Sequence, residues 1–257
     1  YHGWHDWYLS SNIQNKKNLN NHLLKNLVPT GVPSSLKNTS FPFEFNNFEM
    51  LKKLVVKQKI KIIKLEISRY EEPNINFLKS VRNLCNLKNI VLIFDECTSG
   101  FRTQYGGLHL KYNIEPDIAT FGKALGNGFP ITAVIGKGKI MDSAQDTFIS
   151  STFWTESVGT AAAIKTLNIM KETKSWEIIK KKQNYLSKSI ISLSKKNKLK
   201  ISMSSINGII KFDINSKIKN NYKTFISQEM LKKNILATNL IYISIVHNTN
   251  VIKKYLL

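Results

Sequence analysis

Three short segments of this 257-residue chain carry side chains of the types that do chemistry. Asp95-Glu96 follows the apolar run 90–94 and leads into Cys97-Thr98-Ser99-Gly100-Phe101-Arg102. A carboxylate in that position can ligate a metal, act as a base, pair with a protonated ring nitrogen, or cap the next turn. Lys123 lies in Phe121-Gly122-Lys123-Ala124-Leu125-Gly126-Asn127-Gly128-Phe129-Pro130. Glycines on both sides let the backbone approach a bound group closely, and an amine in a partly apolar pocket loses proton affinity and becomes a nucleophile. The third segment, Tyr1-His2-Gly3-Trp4-His5-Asp6, gathers aromatic and imidazole groups, a combination that packs more often than it ligates.

Positioning these groups requires strands that end beside one another, and the hydrophobic pattern supplies them. Phe48, Leu51, Leu54 and Val55 recur at helical spacing, and the β-branched run 60–67 after them predicts a strand. Phe77, Val81, Leu84 and Leu87 repeat the helical spacing, and 90–94 is a continuous apolar strand. Such runs suit a parallel sheet covered on both faces. Further strands are predicted at 117–121 and 131–135, bounded by Gly or Pro. The order is that of an α/β domain, whose ligands bind at the carboxyl ends of the strands. Beyond it, helices are predicted at 158–170, 175–196 and 222–234, with strands at 209–214 and 241–246. Residues 1–171 therefore read as a large domain and 172–257 as a smaller α+β domain.

Composition bounds the function classes. The chain is 42% hydrophobic and 21% charged, enough apolar material for one large core or two modest ones. Lysines interrupt every apolar run, so no membrane span is expected. Cys85 and Cys97 form neither a disulfide framework nor a metal-ligand spacing, which suits a reducing, cytoplasmic compartment and predicts no metal site. A net charge of +21 raises the alternative of a basic nucleic-acid-binding module. Only three of the 38 basic residues are arginine, however, and the 35 lysines are dispersed along helices with no interleaved aromatic patch. Lys, Asn and Ile share AT-rich codons, so compositional drift accounts for the excess, and no nucleic-acid partner is expected.

Taken together, the three segments resemble the class III aminotransferases, which use pyridoxal 5'-phosphate. The resemblance rests on aromatic-His-Gly, then Asp-Glu-x-x-Ser-Gly-Phe-Arg, then Pro-Asp-x-x-x-x-Gly-Lys-x-x-Gly-x-Gly-x-Pro, with Asp95 and Lys123 28 residues apart. Tyr1-His2-Gly3 and Pro33-Ser34-Ser35 are most similar to the glutamate-1-semialdehyde 2,1-aminomutase branch. The resemblance implies pyridoxal-phosphate fold-type I (aspartate aminotransferase-like), with a mainly parallel sheet in the large domain. It also implies amino transfer between an amino donor and an aldehyde or ketone, in a cytoplasmic homodimer. Intramolecular transfer, as in the aminomutase, stays open beside it.

Carried over residue by residue, the family's roles fall as follows. Lys123 would form the Schiff base with the cofactor and move the substrate proton. Asp95 would pair with the pyridinium nitrogen, so that the ring can accept electrons. Tyr1 would stack on the ring with His2 beside it, and Cys97 would pack the other face. Glu66 would lie near the phenolic edge, and Thr155 would reach the phosphate across the dimer interface. The family's Glu-Pro is Glu66-Ile67 here, the glycine before its threonine is Trp154, and its downstream Asn-Pro is Gly159-Thr160. The family's phosphate-binding turn would lie upstream of residue 1, so the 257-residue piece reads as a fragment expected to be inactive or poorly folded by itself.

Overall fold

The computed structural model describes residues 6–20, 26–206 and 208–256. The expected ring-stacking pair Tyr1 and His2 lies outside the described residues. Along the chain run α1 (Asp6–Leu9), α2 (Ser11–Gln14), α3 (Phe48–Gln58), β1 (Ile62–Glu66), α4 (Ile75–Lys88), β2 (Val91–Asp95), α5 (His109–Tyr112), β3 (Ile118–Phe121) and β4 (Ala133–Gly136). They are followed by α6 (Gly138–Met141), α7 (Ser157–Thr173), α8 (Ser175–Lys196), β5 (Ile201–Ile206), β6 (Ile209–Ile214), α9 (Lys219–Lys232), β7 (Leu240–Tyr242) and α10 (Thr249–Leu256).

Two compact units emerge. One holds the described residues up to Lys61 together with Lys79–Ile90, and the other holds Ile62–Leu78 and everything from Val91 onward. In the first unit, the Asn47 side chain accepts a hydrogen bond from the Met50 N–H and so caps α3 at its start. Lys59 ends the helix in the left-handed region at φ 51°, its N–H returning to the Val55 carbonyl. The turn-rich amino-terminal stretch has a small core of its own, in which Tyr8, Leu9 and Leu19 are buried against Leu27 and Val32. The Asn12 side chain holds that stretch together, donating to the Leu27 carbonyl at 2.7 Å and accepting from the Leu19 N–H at 3.0 Å.

The second unit contains both sheets. In the first, with order β1-β2-β3-β4, the initial three strands are parallel and β4 is antiparallel to β3. Ile63 and Leu65, Leu92 and Phe94, and Ala119 and Phe121 are all buried, and the register aligns them on one face. The other face departs from the expectation of burial on both sides. Lys64 and Glu66 alternate with the buried residues of β1 and are only half-buried there, beside Ile93, Asp95, Ile118 and Thr120. A period of two in the side chains explains this, because polar residues within an apolar run all reach the same side.

The second sheet, β5-β6-β7, is antiparallel throughout. Leu186, Ile210, Ile243 and Ile252 form its core with α8 and α10. Gly208 turns between β5 and β6 at φ +73°, and a Cβ there would stand 2.7 Å from the Ile179 Cγ2 atom. Glycine is what that turn admits. The boundary read from the sequence at 171/172 lies in the last turn of α7 (Ser157–Thr173), a different division from the two compact units.

Candidate active site

The carboxyl ends of β1, β2 and β3 bring the expected chemical groups together. Glu66 and Asp95 are register partners, and Asp95 is opposite Thr120 on β3. Beyond β2 the chain is held by Glu96, which is fully buried. Its Oε2 accepts from the Ser99 hydroxyl at 2.6 Å and the Leu108 N–H at 2.9 Å. Its Oε1 accepts from the His109 N–H at 2.9 Å and lies 2.8 Å from His109 Nδ1. A buried carboxylate is tolerated only when its lone pairs are satisfied, and these four partners satisfy Glu96 while fixing the path of residues 96–109. Gly107 allows the close approach, since a Cβ there would meet the His109 ring and lie 2.9 Å from Glu96 Oε1.

Lys123 follows β3 in a tight turn, with φ 45°. Phe121 and Leu125 on either side are buried with Ala119 and Ala163, which anchors the turn and directs the lysine outward. The lysine is exposed, a correction to the partly apolar pocket expected from the sequence. The apolar groups of the segment pack beneath the turn and not around the amine. Lys123 Nζ donates to Thr98 Oγ1 at 3.0 Å, and the Thr98 hydroxyl donates to Glu66 Oε1 at 3.4 Å. Arg69 grips Glu66 through two bonds, Nε to Oε2 at 2.8 Å and Nη2 to Oε1 at 2.6 Å. Burial pulls the Arg69 guanidinium down, but bonding and attraction to Glu66 outweigh it and leave its pKa raised.

Asp95 has both carboxylate oxygens engaged. Oδ1 accepts from the Cys97 N–H at 3.1 Å, and Oδ2 is 3.2 Å from Lys64 Nζ. Burial first, then the Asp95 charge, pushes the Cys97 thiol up, which keeps it a neutral surface suited to packing. Arg102 Nε donates to the Thr98 carbonyl at 2.7 Å, and its guanidinium carbon stands 5.4 Å from the centre of the Tyr242 ring on β7. Burial lowers the Arg102 pKa, but the guanidinium stays charged in any ordinary buffer.

Glu66, Asp95, Cys97 and Lys123 thus share one end of one sheet. Thr155 does not join them. It is exposed on the 3-10 turn Thr152–Thr155 and enters none of the hydrogen bonds of the cluster. Three participants were missed from the sequence: Lys64, Thr98 and Arg69. For Lys64 the available signal was its two-residue spacing from Glu66, which places both on one face of β1. Asp117, in the Pro-Asp of the motif, accepts from the Leu92 N–H at 2.8 Å and pairs with Lys137, so it secures the sheet and not the site.

Comparison with known proteins identifies the class. Residues 70–249 match the model of the aminotransferase class-III family, and the chain belongs to that family. Among its relatives, the 3-aminobutyryl-CoA aminotransferase of Cloacimonas acidaminovorans (strain Evry) is 34% identical over 188 residues, covering 70% of this chain and 41% of the relative. The glutamate-1-semialdehyde 2,1-aminomutase of Sulfurisphaera tokodaii is 31% identical over 229 residues, or 86% of this chain and 53% of that protein. The chain thus spans about half the length of the curated relatives it matches.

Solved structures show the same fold. The FumI protein of Sphingopyxis sp. MTA144, in its PLP internal aldimine form, matches with a TM-score of 0.84 at 22% identity, over 90% of this chain and 58% of that one. An omega-transaminase from Sphaerobacter thermophilus matches with a TM-score of 0.83 at 17% identity, over all of this chain and 64% of that one. The fold is therefore that of the fold-type I transaminases. Among the described residues no helix is long and apolar enough to cross a membrane.

Proposed function

We propose that the protein carrying this chain is a pyridoxal-phosphate-dependent enzyme that moves an amino group between an amino donor and an aldehyde or ketone. The observation that carries the reading is the convergence of Lys123, Asp95 and Glu66 at the carboxyl ends of three adjacent parallel strands, with Thr98 joining Lys123 to Glu66. The donor set fits the cofactor. It offers a primary amine for an aldehyde, a buried-side carboxylate for a cationic ring nitrogen, a second carboxylate, and a neutral thiol able to lie against an aromatic face.

In this reading Lys123 would hold the cofactor covalently and would take and return the proton at the amine-bearing carbon of the substrate. Asp95 would hold the ring nitrogen, Glu66 with Arg69 would stand at the phenolic edge, and Cys97 would pack one face. The cofactor, when bound, would supply an electron sink for the reacting carbon. Thr98 positions the Lys123 amine through the 3.0 Å bond. Tyr1, His2 and Thr155 are assigned to the other ring face and to the phosphate of a neighbouring subunit by resemblance alone.

A homodimer is part of the proposal. Phe148, Phe153 and Trp154 are 96%, 80% and 63% exposed around the turn that carries Thr155, a cluster suited to burial against a second copy. Two free cysteines suit a cytoplasmic setting. A second reading, the intramolecular transfer of an aminomutase, is favoured by the 86% of this chain that aligns with the Sulfurisphaera tokodaii protein.

The test uses the full gene product, loaded with pyridoxal phosphate and mixed with glutamate. A spectral change to the amine form of the cofactor, with release of 2-oxoglutarate, supports transamination. Conversion of glutamate-1-semialdehyde to 5-aminolevulinate without an external donor supports the mutase. Failure to take up the cofactor at all overturns both.

A further inference from the structure

Arg102 is a cation without an anion. It is half-buried on the segment that follows β2, and of the five N–H donors of a guanidinium only the one on Nε is spent, on the Thr98 carbonyl at 2.7 Å. Among the described residues, its two terminal nitrogens have no acceptor and no carboxylate pairs with the group. Its other contact is the Tyr242 ring, 5.4 Å from the guanidinium carbon. Burial raises the Tyr242 pKa, so that hydroxyl stays protonated, and it too has no hydrogen-bond partner among the described residues. Glu66 lies within electrostatic reach of Tyr242, but Arg69 already holds both of its oxygens. A half-buried charge that nothing in the chain compensates is costly, and a ligand of opposite sign offsets that cost. The planar fork of a guanidinium matches the two oxygens of a carboxylate. Position supports the same reading. Thr98 accepts from Lys123 Nζ through its hydroxyl and from Arg102 through its carbonyl, so one residue holds the amine and the unpaired fork side by side.

We propose that Arg102, with the Tyr242 hydroxyl beside it, is an oxyanion subsite that takes a carboxylate of the amino donor or carbonyl acceptor, and so selects anionic substrates over plain amines and aldehydes. The role in substrate choice rests on the amino-transfer reading above, whereas oxyanion binding itself needs only these two side chains.

The experiment is calorimetric binding of glutarate, a dicarboxylate with no amino group, and of its uncharged diamide, glutaramide. The protein is the full gene product loaded with pyridoxal phosphate, which keeps the cofactor's own phosphate site filled. The parent is expected to bind glutarate about tenfold more tightly than the diamide. Arg102→Met should erase that preference, and Arg102→Lys should keep only part of it, because a point charge lacks the fork. Tyr242→Phe keeps the ring and removes only the hydroxyl, and should weaken glutarate about two- to fivefold. Equal binding of the two probes by the parent, or none, overturns the proposal, and so does an Arg102→Met variant that melts cooperatively and keeps the parental glutarate affinity. If Arg102→Met does not fold, Tyr242→Phe decides, and unchanged glutarate affinity there overturns the proposal. Inorganic phosphate is the third probe. Arg102-dependent binding of phosphate that is tighter than that of glutarate assigns the fork to a phosphate group and overturns the carboxylate assignment. If the parent takes up no pyridoxal phosphate, the amino-transfer reading falls, and the same titrations without cofactor still decide the subsite.

Discussion

Asp95 and Glu96 are adjacent in the chain, yet they belong to two differently built regions. Glu96 faces inward, has no exposure, and spends its oxygens on four fixed partners within residues 99–109. Asp95 and Glu66 face the strand ends, where each is paired with a side-chain cation, Lys64 and Arg69 respectively. The difference separates architecture from chemistry. A carboxylate saturated by fixed partners within a loop holds that loop in place, whereas one paired with a side-chain cation can exchange that partner for a ligand.

Perturbing each region should give a different signature. On the chemical side, Lys123→Ala should lower kcat by about three orders of magnitude or more with little change in thermal stability, measured by steady-state kinetics and calorimetry of the full gene product. Retained turnover would remove Lys123 from its role. On the architectural side, Glu96→Ala strands three donors and a ring nitrogen in the interior. Denaturant titration should show a loss of about 3–5 kcal/mol, and the folded fraction should keep a competent lysine. Gly107→Ala probes the same region more gently. Its Cβ would crowd the His109 ring and Glu96 Oε1, and the expected cost is about 1–3 kcal/mol by the same titration.

The smallest effect belongs to Cys97. Its thiol is raised by burial and by Asp95, so at pH 8 it should alkylate more slowly than an exposed cysteine, and its rate should keep climbing above the pH where an ordinary thiol levels off. Asp95→Asn removes one of the two causes and should speed the reaction about two- to fivefold. Mass-spectrometric alkylation kinetics reads this directly, because Cys85 is buried. An unchanged rate would mean that Asp95 does not act on the thiol.

The parts of the site legible in the sequence were those marked by punctuation. Apolar runs ending in Asp95 and in Gly122-Lys123 announced strand ends, and the observed β2 and β3 deliver both residues to one edge. Glu66 was legible only through the resemblance, as the glutamate of the family's Glu-Pro pair near the end of the run 60–67. Lys64 was not, because one lysine among 35 carries no signal until a strand register puts it opposite a particular carboxylate. Thr98 and Arg69 depended on loop geometry that no periodicity encodes. In the second sheet, β5 went unread because its interior, Ser202 to Ser205, is mostly short polar residues whose strand state comes from pairing with β6. The helix α10 was likewise unforeseen, eight residues held by the burial of Ile252.

Two of the four contacts on Glu96 come from the main-chain N–H groups of Leu108 and His109. Any residue type except proline supplies the same donor. A chain drifting toward lysine, asparagine and isoleucine can therefore exchange many of the side chains in that loop while the anchor beneath the strand ends stays where it is. Glu96 itself, the glycine that lets it approach, and the Ser99 and His109 side chains that fill its other two contacts are barred from the drift.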